Sequence, residues 1–280
     1  VIFLLGFGIK LGLVPLHVWA PRAYGEAPIP VLALLSGAMA KTAAYGVIRI
    51  VVPVTGAFLA DYSLGLMLVS VVTMVYGAMM AIAQRDLKMM LAYSSISQLG
   101  YLMFGYSTMT EVGLNGAAFQ LISHGILASL LFFCAGAIEM RTGTLEFDRI
   151  GGLAPKMPVL ATMFVMGGLA VAGTPPMCAF PAELMLLAGA AEQFSSGWAY
   201  VALTVVAVAA TGLTAAYYLW AIRRTMYGPL PEELQNVTDA PRSILAVTGI
   251  LALFAVVIGV WPWLLGQYIQ PVLAGVIGGG

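Results

Sequence analysis

Apolar runs long enough to cross a lipid bilayer occupy most of this 280-residue sequence. A transmembrane helix needs about 20 predominantly apolar residues to span roughly 30 Å of hydrocarbon. We predict eight such spans, within 1–19, 28–53, 62–83, 87–106, 114–140, 158–191, 198–227 and 243–265. The sequence lacks the alternating segments of about ten residues that are typical of a membrane β-barrel. It therefore predicts an all-α membrane protein, a polytopic bundle of about eight transmembrane helices.

The composition excludes several other classes of protein. Charged residues make up 9% of the chain, against about 25% in an ordinary soluble domain. Twelve basic and twelve acidic side chains leave no basic excess, so we expect no nucleic-acid partner. The sequence has no Walker A loop and no cysteine cluster, and its two histidines are far apart. We therefore expect no catalytic residue, metal or bound cofactor in this chain.

Lysine and arginine are distributed unequally between the two sides of the predicted bundle. Nine of them fall in alternate connections on one side, namely Arg22, Arg85, Lys88, Arg141, Arg149, Lys156, Arg223, Arg224 and Arg242. The other side holds Arg49 alone. Because cytoplasmic loops carry the excess of Lys and Arg, the nine-cation side is predicted to face the cytoplasm or the matrix. The C-terminus is then expected on the outer side.

Five ionisable side chains lie inside the apolar runs, namely Lys10, His17, Lys41, His124 and Glu183. A charge at the bilayer centre costs about 2.5–3.5 kcal/mol on insertion scales, so such residues usually mark an ion or proton pathway. A structural alternative is that Lys10 extends to the interface and that the histidines only hydrogen-bond neighbouring helices. We favour a proton path, because a path requires several titratable groups in series.

Helical spacing predicts further polar neighbours for these residues. Residues four or seven apart share one face of a helix. The pairs with this spacing are Lys10 and His17, Lys41 and Tyr45, and Gln120 and His124. We therefore expect His17, Tyr45 and Gln120 to support the path. Another polar stripe, at 93–98, is expected to join helices by hydrogen bonds.

Prolines interrupt two of the predicted spans at membrane depth. Pro15 lies in the first span, and the segment 173–181 of the sixth span contains three prolines. Irregular backbone in a membrane is tolerated only where it is buried in protein or lines water. Broken helices in corresponding positions of two halves indicate a transporter site. The first break carries Lys10 and the second carries Glu183.

Several blocks of the sequence resemble one family of membrane proteins. They are KLGLVPLHVWAPRAYGEAP at 10–28, LLSGAMAKTAAYG at 34–46, DLKMMLAYSSISQLGY at 86–101, FQLISHG at 119–125, GGLAPKMP at 151–158 and GTPPMCAFPAE at 173–183. In this order they are similar to the antiporter-like, proton-translocating membrane subunits of respiratory complex I, of the subunit M or mitochondrial subunit 4 type. Related chains occur in membrane-bound hydrogenases and archaeal deazaflavin-linked dehydrogenases.

The resemblance implies a fold of about fourteen spans that contains two inverted five-helix repeats. Residues 1–53 would then end the first repeat, and 62–227 would form the second, with its broken helix around 173–181. Residues 243–265 would form a closing transmembrane helix. Since Val1 begins inside an apolar run, we expect the sequence to be the C-terminal half of a longer chain.

The same resemblance implies a role for four buried residues. Lys10 would be the broken-helix lysine of the first half-channel, and Lys41 the central lysine that links the two halves. His124 would be a connecting histidine, and Glu183 the terminal residue of the second half-channel. A glutamate at this last position is typical of subunit M, whereas the L and N types carry lysine there.

The implied function is proton translocation within an NADH–quinone oxidoreductase, with no redox chemistry in this chain itself. NADH, FMN, iron–sulfur clusters and quinone are expected in other subunits. The expected partners are neighbouring antiporter-like subunits and the lipid bilayer, most simply in a prokaryotic plasma membrane, with the mitochondrial inner membrane as the other location.

Three alternatives remain open at this point. The chain could belong to an Mrp-type Na⁺/H⁺ antiporter, which has no redox partner. It could belong to a membrane-bound hydrogenase or a deazaflavin-linked dehydrogenase, because Arg22 and Tyr24 stand where complex I members commonly have Asp and His. A purely structural scaffold is disfavoured by Lys41 and Glu183.

Overall fold

The computed structural model describes residues 2–277, and this part of the chain is almost entirely helical. Its α-helices are α1 (Ile2–Leu11), α2 (Trp19–Glu26), α3 (Ile29–Leu34), α4 (Ala40–Gly46), α5 (Val52–Asp61), α6 (Ser63–Ile82), α7 (Leu87–Ser107), α8 (Glu111–Thr142), α9 (Pro158–Val171), α10 (Ala179–Ala191), α11 (Trp198–Met226), α12 (Arg242–Val260) and α13 (Trp263–Ile277). The only β-pairing within residues 2–277 is an isolated bridge between Asp86 and Glu146. The predicted all-α class is confirmed.

These helices account for the eight predicted spans. Five helical segments are long and apolar enough to cross a membrane, namely Ile29–Val54, α6, α8, α11 and α12. Helix α7 has 21 residues, a sufficient length, but it carries more polar side chains. The first and sixth spans are each divided, into α1 with α2 and into α9 with α10. The predicted bundle with two broken helices is confirmed, although Val1 lies outside the described residues.

Each break contains a glycine in the left-handed region, followed by proline. Gly12 has a φ of 72° and Gly173 a φ of 71°. A side chain at such a φ is strained, so glycine is the residue that lets the chain turn here. The X–Pro bonds before Pro15 and Pro176 are cis. Proline offers no N–H for a helical hydrogen bond, which explains why neither span continues through its break.

The second span is irregular in a different way. Two π-helical turns, Leu35–Met39 and Val47–Val51, join α3, α4 and α5 into one helical segment that runs from Ile29 to Asp61. Single π turns inside α-helices are frequent at functional sites. Lys41 is the second residue of α4 and therefore follows the first π turn directly.

Glycine contacts hold α7 and α8 close to their neighbours. A methyl group added at Gly77 of α6 would lie 2.6 Å from the backbone nitrogen of Ser97 on α7. A methyl group at Gly116 of α8 would lie 2.7 Å from the backbone nitrogen of Leu186 on α10. Small residues allow membrane helices to approach until their backbones touch. These two contacts set the spacing of the helices around the polar interior.

The connections on the cation-rich side form one folded layer. The Leu87 amide donates to the Leu145 carbonyl at 3.0 Å, and the Leu153 amide donates to the Thr225 carbonyl at 3.2 Å. These bonds join the α6–α7 and α8–α9 connections and the end of α11 at the same end of the bundle. The distribution of lysine and arginine in the sequence predicts that these connections lie at the same end of the bundle.

The C-terminal part contains a helix that was not predicted. Helix α12 ends at Val260, and a second helix, α13, starts at Trp263. The predicted closing span 243–265 therefore comprises α12 and the first residues of α13. Helix α13 packs against α8 and α5. Pro262 lies in the two-residue interruption between these helices, and its missing N–H is the signal that hydropathy alone did not register.

Candidate functional site

Lys41 is buried in the bundle, with 5% of its surface exposed. Its ammonium donates a hydrogen bond to the carbonyl oxygen of Ser36 in the first π turn. The Ser36 hydroxyl is 2.8 Å from the hydroxyl of Ser95 on α7. Within residues 2–277, Lys41 makes no ion pair. Burying an unpaired charge costs several kcal/mol, so water or a transferable proton must relieve that cost.

His124 lies on α8, next to the point where this helix crosses the first π turn. A methyl group at Gly125 would be 2.9 Å from the carbonyl oxygen of Gly37. His124 is 3% exposed, and this crossing places it at the same π turn whose Ser36 carbonyl accepts from the Lys41 ammonium. Its Nδ1 atom has no hydrogen-bond partner among the described residues. The structure thus brings Lys41 and His124 together.

A pair of amide side chains continues the polar interior from His124. Gln120, one turn earlier on α8, donates from Nε2 to Oε1 of Gln98 on α7 at 2.6 Å. The other polar atom of each side chain, Gln120 Oε1 and Gln98 Nε2, is buried without a partner in the described part of the chain. The predicted proximity of Gln120 and His124 fits this arrangement, since both belong to the buried face of α8.

Glu183 lies near the start of α10, where the helix leaves the second break. It is 7% exposed, and its carboxylate occupies the space that a side chain at Gly173 would fill. Its Oε1 atom has no hydrogen-bond partner within residues 2–277. Glu183 is close enough to Tyr101 and Tyr217 for electrostatic interaction with both phenols.

Three buried tyrosines also belong to this polar interior. The hydroxyls of Tyr217 and Tyr218 on α11 lie 3.0 and 2.8 Å from the hydroxyl of Ser94 on α7. The hydroxyl of Tyr101 lies near Thr214, but Thr214 donates to its own helix, and no atom in the described part of the chain completes a hydrogen bond with Tyr101.

The unpartnered polar atoms are distributed along this set of residues. Five of the seven such atoms among the described residues belong to it, namely Gln98 Nε2, Tyr101 Oη, Gln120 Oε1, His124 Nδ1 and Glu183 Oε1, and the other two are His17 Nδ1 and Asn115 Oδ1. Buried polar groups in proteins nearly always have a partner, either protein or ordered water. Each of these atoms is therefore a candidate site for a bound water.

The sequence also matches a known family. Residues 1–214 match the transmembrane family described as NADH:quinone oxidoreductase/Mrp antiporter. The chain belongs to this family. It is 37% identical over 270 residues to NAD(P)H-quinone oxidoreductase chain 4 of Acaryochloris marina, with 95% of this chain and 50% of that protein covered. The chain thus spans about half the length of the curated relatives it matches.

Solved structures of two kinds of complex contain a similar chain. A chain of respiratory complex I from Thermus thermophilus, with bound NADH, superposes with a TM-score of 0.88 at 28% identity, covering 99% of this chain and 57% of that one. A chain of the Mrp complex from Dietzia sp. DQ12-45-1b also gives a TM-score of 0.88, at 25% identity, covering 98% and 58%. This chain is therefore an integral membrane, antiporter-like subunit in fold.

Lys10 and His17 do not belong to the group of polar residues that contains Lys41, His124 and Glu183. Lys10 is exposed at the end of α1, where it donates to Thr42 Oγ1 at 2.9 Å and borders a cleft of about 170 Å³. His17 is buried in the break, with its ring centroid 4.6 Å from that of Tyr76. The expected shared face of Lys10 and His17 is wrong, because the chain leaves the helix at Gly12 and helical spacing no longer applies.

Tyr45 and Lys41 differ in burial although they are four residues apart on α4. Tyr45 is 56% exposed, whereas Lys41 is buried and its ammonium donates to the Ser36 carbonyl in the first π turn. A supporting role for Tyr45 stays a prediction.

The sequence interpretation missed several polar residues. The stripe at 93–98 does join helices as expected, but Tyr101, Tyr217 and Tyr218 were not recognised as members of the interior. Ser94, Gln98 and Tyr101 recur at helical spacing on α7, and this pattern could have identified Tyr101.

Cys134 and Cys178 are free and buried, and the described residues contain no group of three or more metal-ligating side chains.

Proposed function

We propose that this chain forms part of a proton-translocating membrane subunit in a complex I-type oxidoreductase. In that complex, electron transfer from NADH or a related donor to quinone would be coupled to proton pumping. The observation that carries the proposal is the buried series Lys41, His124, Gln120 with Gln98, Tyr101 and Glu183, which links four helical elements inside one bundle. The names of the curated relatives and the complex I likeness support the same function.

Protons would move through this series by way of bound water. A proton released by the Lys41 ammonium passes to a water held at His124 Nδ1 and then along waters held by the Gln120 and Gln98 amides. The hydroxyl of Tyr101 relays it to the carboxylate of Glu183, which releases it on the cation-poor side. Each transfer is between neighbouring polar groups, so no large movement of a helix is required.

The redox steps would take place in other subunits. NADH, FMN, iron–sulfur clusters and quinone would be bound there, and changes in those subunits would alter the charge next to Lys41. The partners in this arrangement are neighbouring antiporter-like membrane subunits. The bacterial origin of the relatives and structural neighbours supports a prokaryotic plasma membrane.

The two broken spans support the division into inverted repeats. Residues 1–53 would end one repeat, 62–227 would form the next, and 243–265 would close the bundle. Lys10 would serve the first half-channel, in which its bond to Thr42 ties the end of α1 to the helix that carries Lys41. His17 would support that half-channel from within the break.

The decisive experiment measures protons pumped per electron in membrane vesicles that contain the assembled complex. Lys41→Ala should abolish most of the pumping while native gels show an intact complex. Lys156→Ala is the matched control, because Lys156 lies in the connection before α9, outside the polar interior. Wild-type pumping by assembled Lys41→Ala complexes would contradict the proposal.

An Mrp-type Na⁺/H⁺ antiporter is the second candidate, and the equal TM-score of the Mrp chain favours keeping it. The two functions differ in their driving force. An antiporter should acidify or alkalinise vesicles in response to an imposed Na⁺ gradient without any electron donor. A complex I-type pump should require a donor. Supplying NADH, hydrogen and reduced deazaflavin in turn then separates complex I from its hydrogenase and dehydrogenase relatives.

A further inference from the structure

A pocket of about 640 Å³ opens at the end of α11 on the cation-rich side of the bundle. Its walls come from the last turn of α11, from the start of the α8–α9 connection and from the segment 227–231. The rings of Phe147 and Trp220 meet edge to face at one wall, with centroids 4.6 Å apart. Gly151 and Gly152 pack so closely on 228–230 that an added methyl group would lie less than 3 Å from that backbone. The walls are therefore held in place by packing.

The two arginines of this pocket differ in their partners. Arg224 donates to Asp148 Oδ1 at 2.5 Å and to the Phe147 carbonyl at 3.2 Å, and its guanidinium lies 5.7 Å from the centre of the Trp220 ring. Arg223 is exposed and makes no ion pair or side-chain hydrogen bond within residues 2–277. The pocket is thus lined by two arginines and one aspartate, and one positive charge is left without a counterion.

An exposed apolar stripe on α11 leads from the membrane interior to Arg223. Its members are separated by three or four residues, and they are Val205, Val208, Gly212, Ala216 and Leu219. Nothing lies within 4 Å of a methyl group added at Gly212, so the stripe forms a shallow open track. Only 22% of the most apolar stretch of α11 is buried within the described part of the chain, so most of this surface is available to lipid.

Aromatic side chains mark the level of the membrane surface at the same place. Trp220 and Tyr227 both line the pocket, and Tyr227 is exposed directly after the end of α11. Tryptophan and tyrosine are enriched where the hydrocarbon meets the lipid headgroups. The pocket therefore lies at headgroup level, and the stripe lies at the level of the acyl chains.

We propose that this pocket binds the phosphate of an anionic phospholipid, with an acyl chain along the stripe of α11. Arginine forms paired hydrogen bonds to phosphate oxygens, and Arg223 has its donors free. Basic pockets on the cytoplasmic side of membrane proteins are known to hold anionic headgroups. A free phosphate ion would use Arg223 but would leave the apolar track unused, which is why the lipid is the favoured source of the phosphate.

The test uses the purified, delipidated complex that contains the full-length chain, titrated with spin-labelled phosphatidylglycerol. Arg223→Gln should weaken the association of the label by about fivefold, the loss expected for one surface cation. Arg223→Lys should lose less affinity than Arg223→Gln, because it keeps the charge but not the paired hydrogen bonds. Arg242→Gln is the matched control, since Arg242 is exposed on the same side but does not line the pocket.

Two further measurements separate a lipid from a free ion. Ala216→Phe fills the track and should weaken binding of the labelled phosphatidylglycerol. Spin-labelled phosphatidylcholine should bind equally to the wild type and to Arg223→Gln. Inorganic phosphate should fail to displace the labelled lipid. The proposal is overturned if Arg223→Gln binds like wild type, or if Arg242→Gln loses as much as Arg223→Gln. Displacement by phosphate together with normal binding by Ala216→Phe would assign the pocket to a free anion instead.

Discussion

Replacing Tyr101 by phenylalanine separates a functional role from a structural one. Tyr101 is 2% exposed, and its hydroxyl has no hydrogen-bond partner in the described part of the chain. Tyr101→Phe therefore removes no protein–protein hydrogen bond and keeps the ring in place. We expect the substitution to destabilise the assembled complex by no more than about 1 kcal/mol, because it removes at most one hydrogen bond, which is to water.

The same substitution should slow proton translocation. A hydrogen bond to a bridging water is worth about 1 kcal/mol, so its loss lowers the occupancy of that water by about fivefold. If the water next to Tyr101 carries protons to Glu183, the maximal pumping rate should fall by a similar factor. The assay is the initial rate of dye quenching in membrane vesicles, normalised to the amount of assembled complex.

Tyr106 provides the matched control on the same helix. Its hydroxyl is buried, but it donates to the Ala44 carbonyl at 3.2 Å, and it lies outside the polar series. Tyr106→Phe should lower the stability of the complex by about 1 kcal/mol and leave protons pumped per electron unchanged. The reasoning is refuted if Tyr101→Phe pumps at the wild-type rate, or if it destabilises the complex more than Tyr106→Phe does.

Substitutions at three other residues test separate parts of the interior, and Gly212→Ala on the exposed surface is a control. His124→Ala should reduce pumping less than Lys41→Ala, because water can replace an imidazole in a polar path; total loss with intact assembly would reverse this ranking. Glu183→Gln should stop proton release, and Glu183→Lys should be milder than Glu183→Ala, as measured by protons pumped per electron. Gly125→Ala should destabilise the complex by about 1–3 kcal/mol in a thermal assay, because its methyl group would lie 2.9 Å from a backbone oxygen of the facing π turn. Gly212→Ala should be neutral in the same assay, because its methyl group would enter open space.

The general architecture could be predicted because hydropathy has simple consequences in a membrane. Each apolar run became a helical span, and the two runs with a left-handed glycine followed by proline, at Gly12 and Gly173, became divided. Proline alone does not decide this, because the helical segment Ile29–Asp61 continues through Pro53. The interruption after Val260 was missed although Pro262 lies in it. The π turns also escaped prediction, because the segment 35–39 contains no residue that signals a wider helical turn.

The site could be predicted only in part, because spacing rules assume a regular helix. Gln120 and His124 lie on the uninterrupted α8, and their expected proximity agrees with the structure. The same rule was wrong for Lys10 and His17, which are separated by a break. For Lys41 and Tyr45 the rule did not predict burial, since two side chains on one side of a helix need not be equally buried.

The polar residues of α7 divide into two sets with different consequences for movement. Ser94, Ser95 and Ser97 bond to α11, the first π turn and α6, and glycine contacts hold the backbones of α6 and α7 together. A core packed this closely changes only in discrete steps, so α7 is an unsuitable moving part. The atoms left without partners belong to Gln98 and Tyr101 on the same helix. Under the proposed function, control of the path would therefore fall on hydration and on the side chains at irregular backbone, namely Lys41 after its π turn and Glu183 after its break.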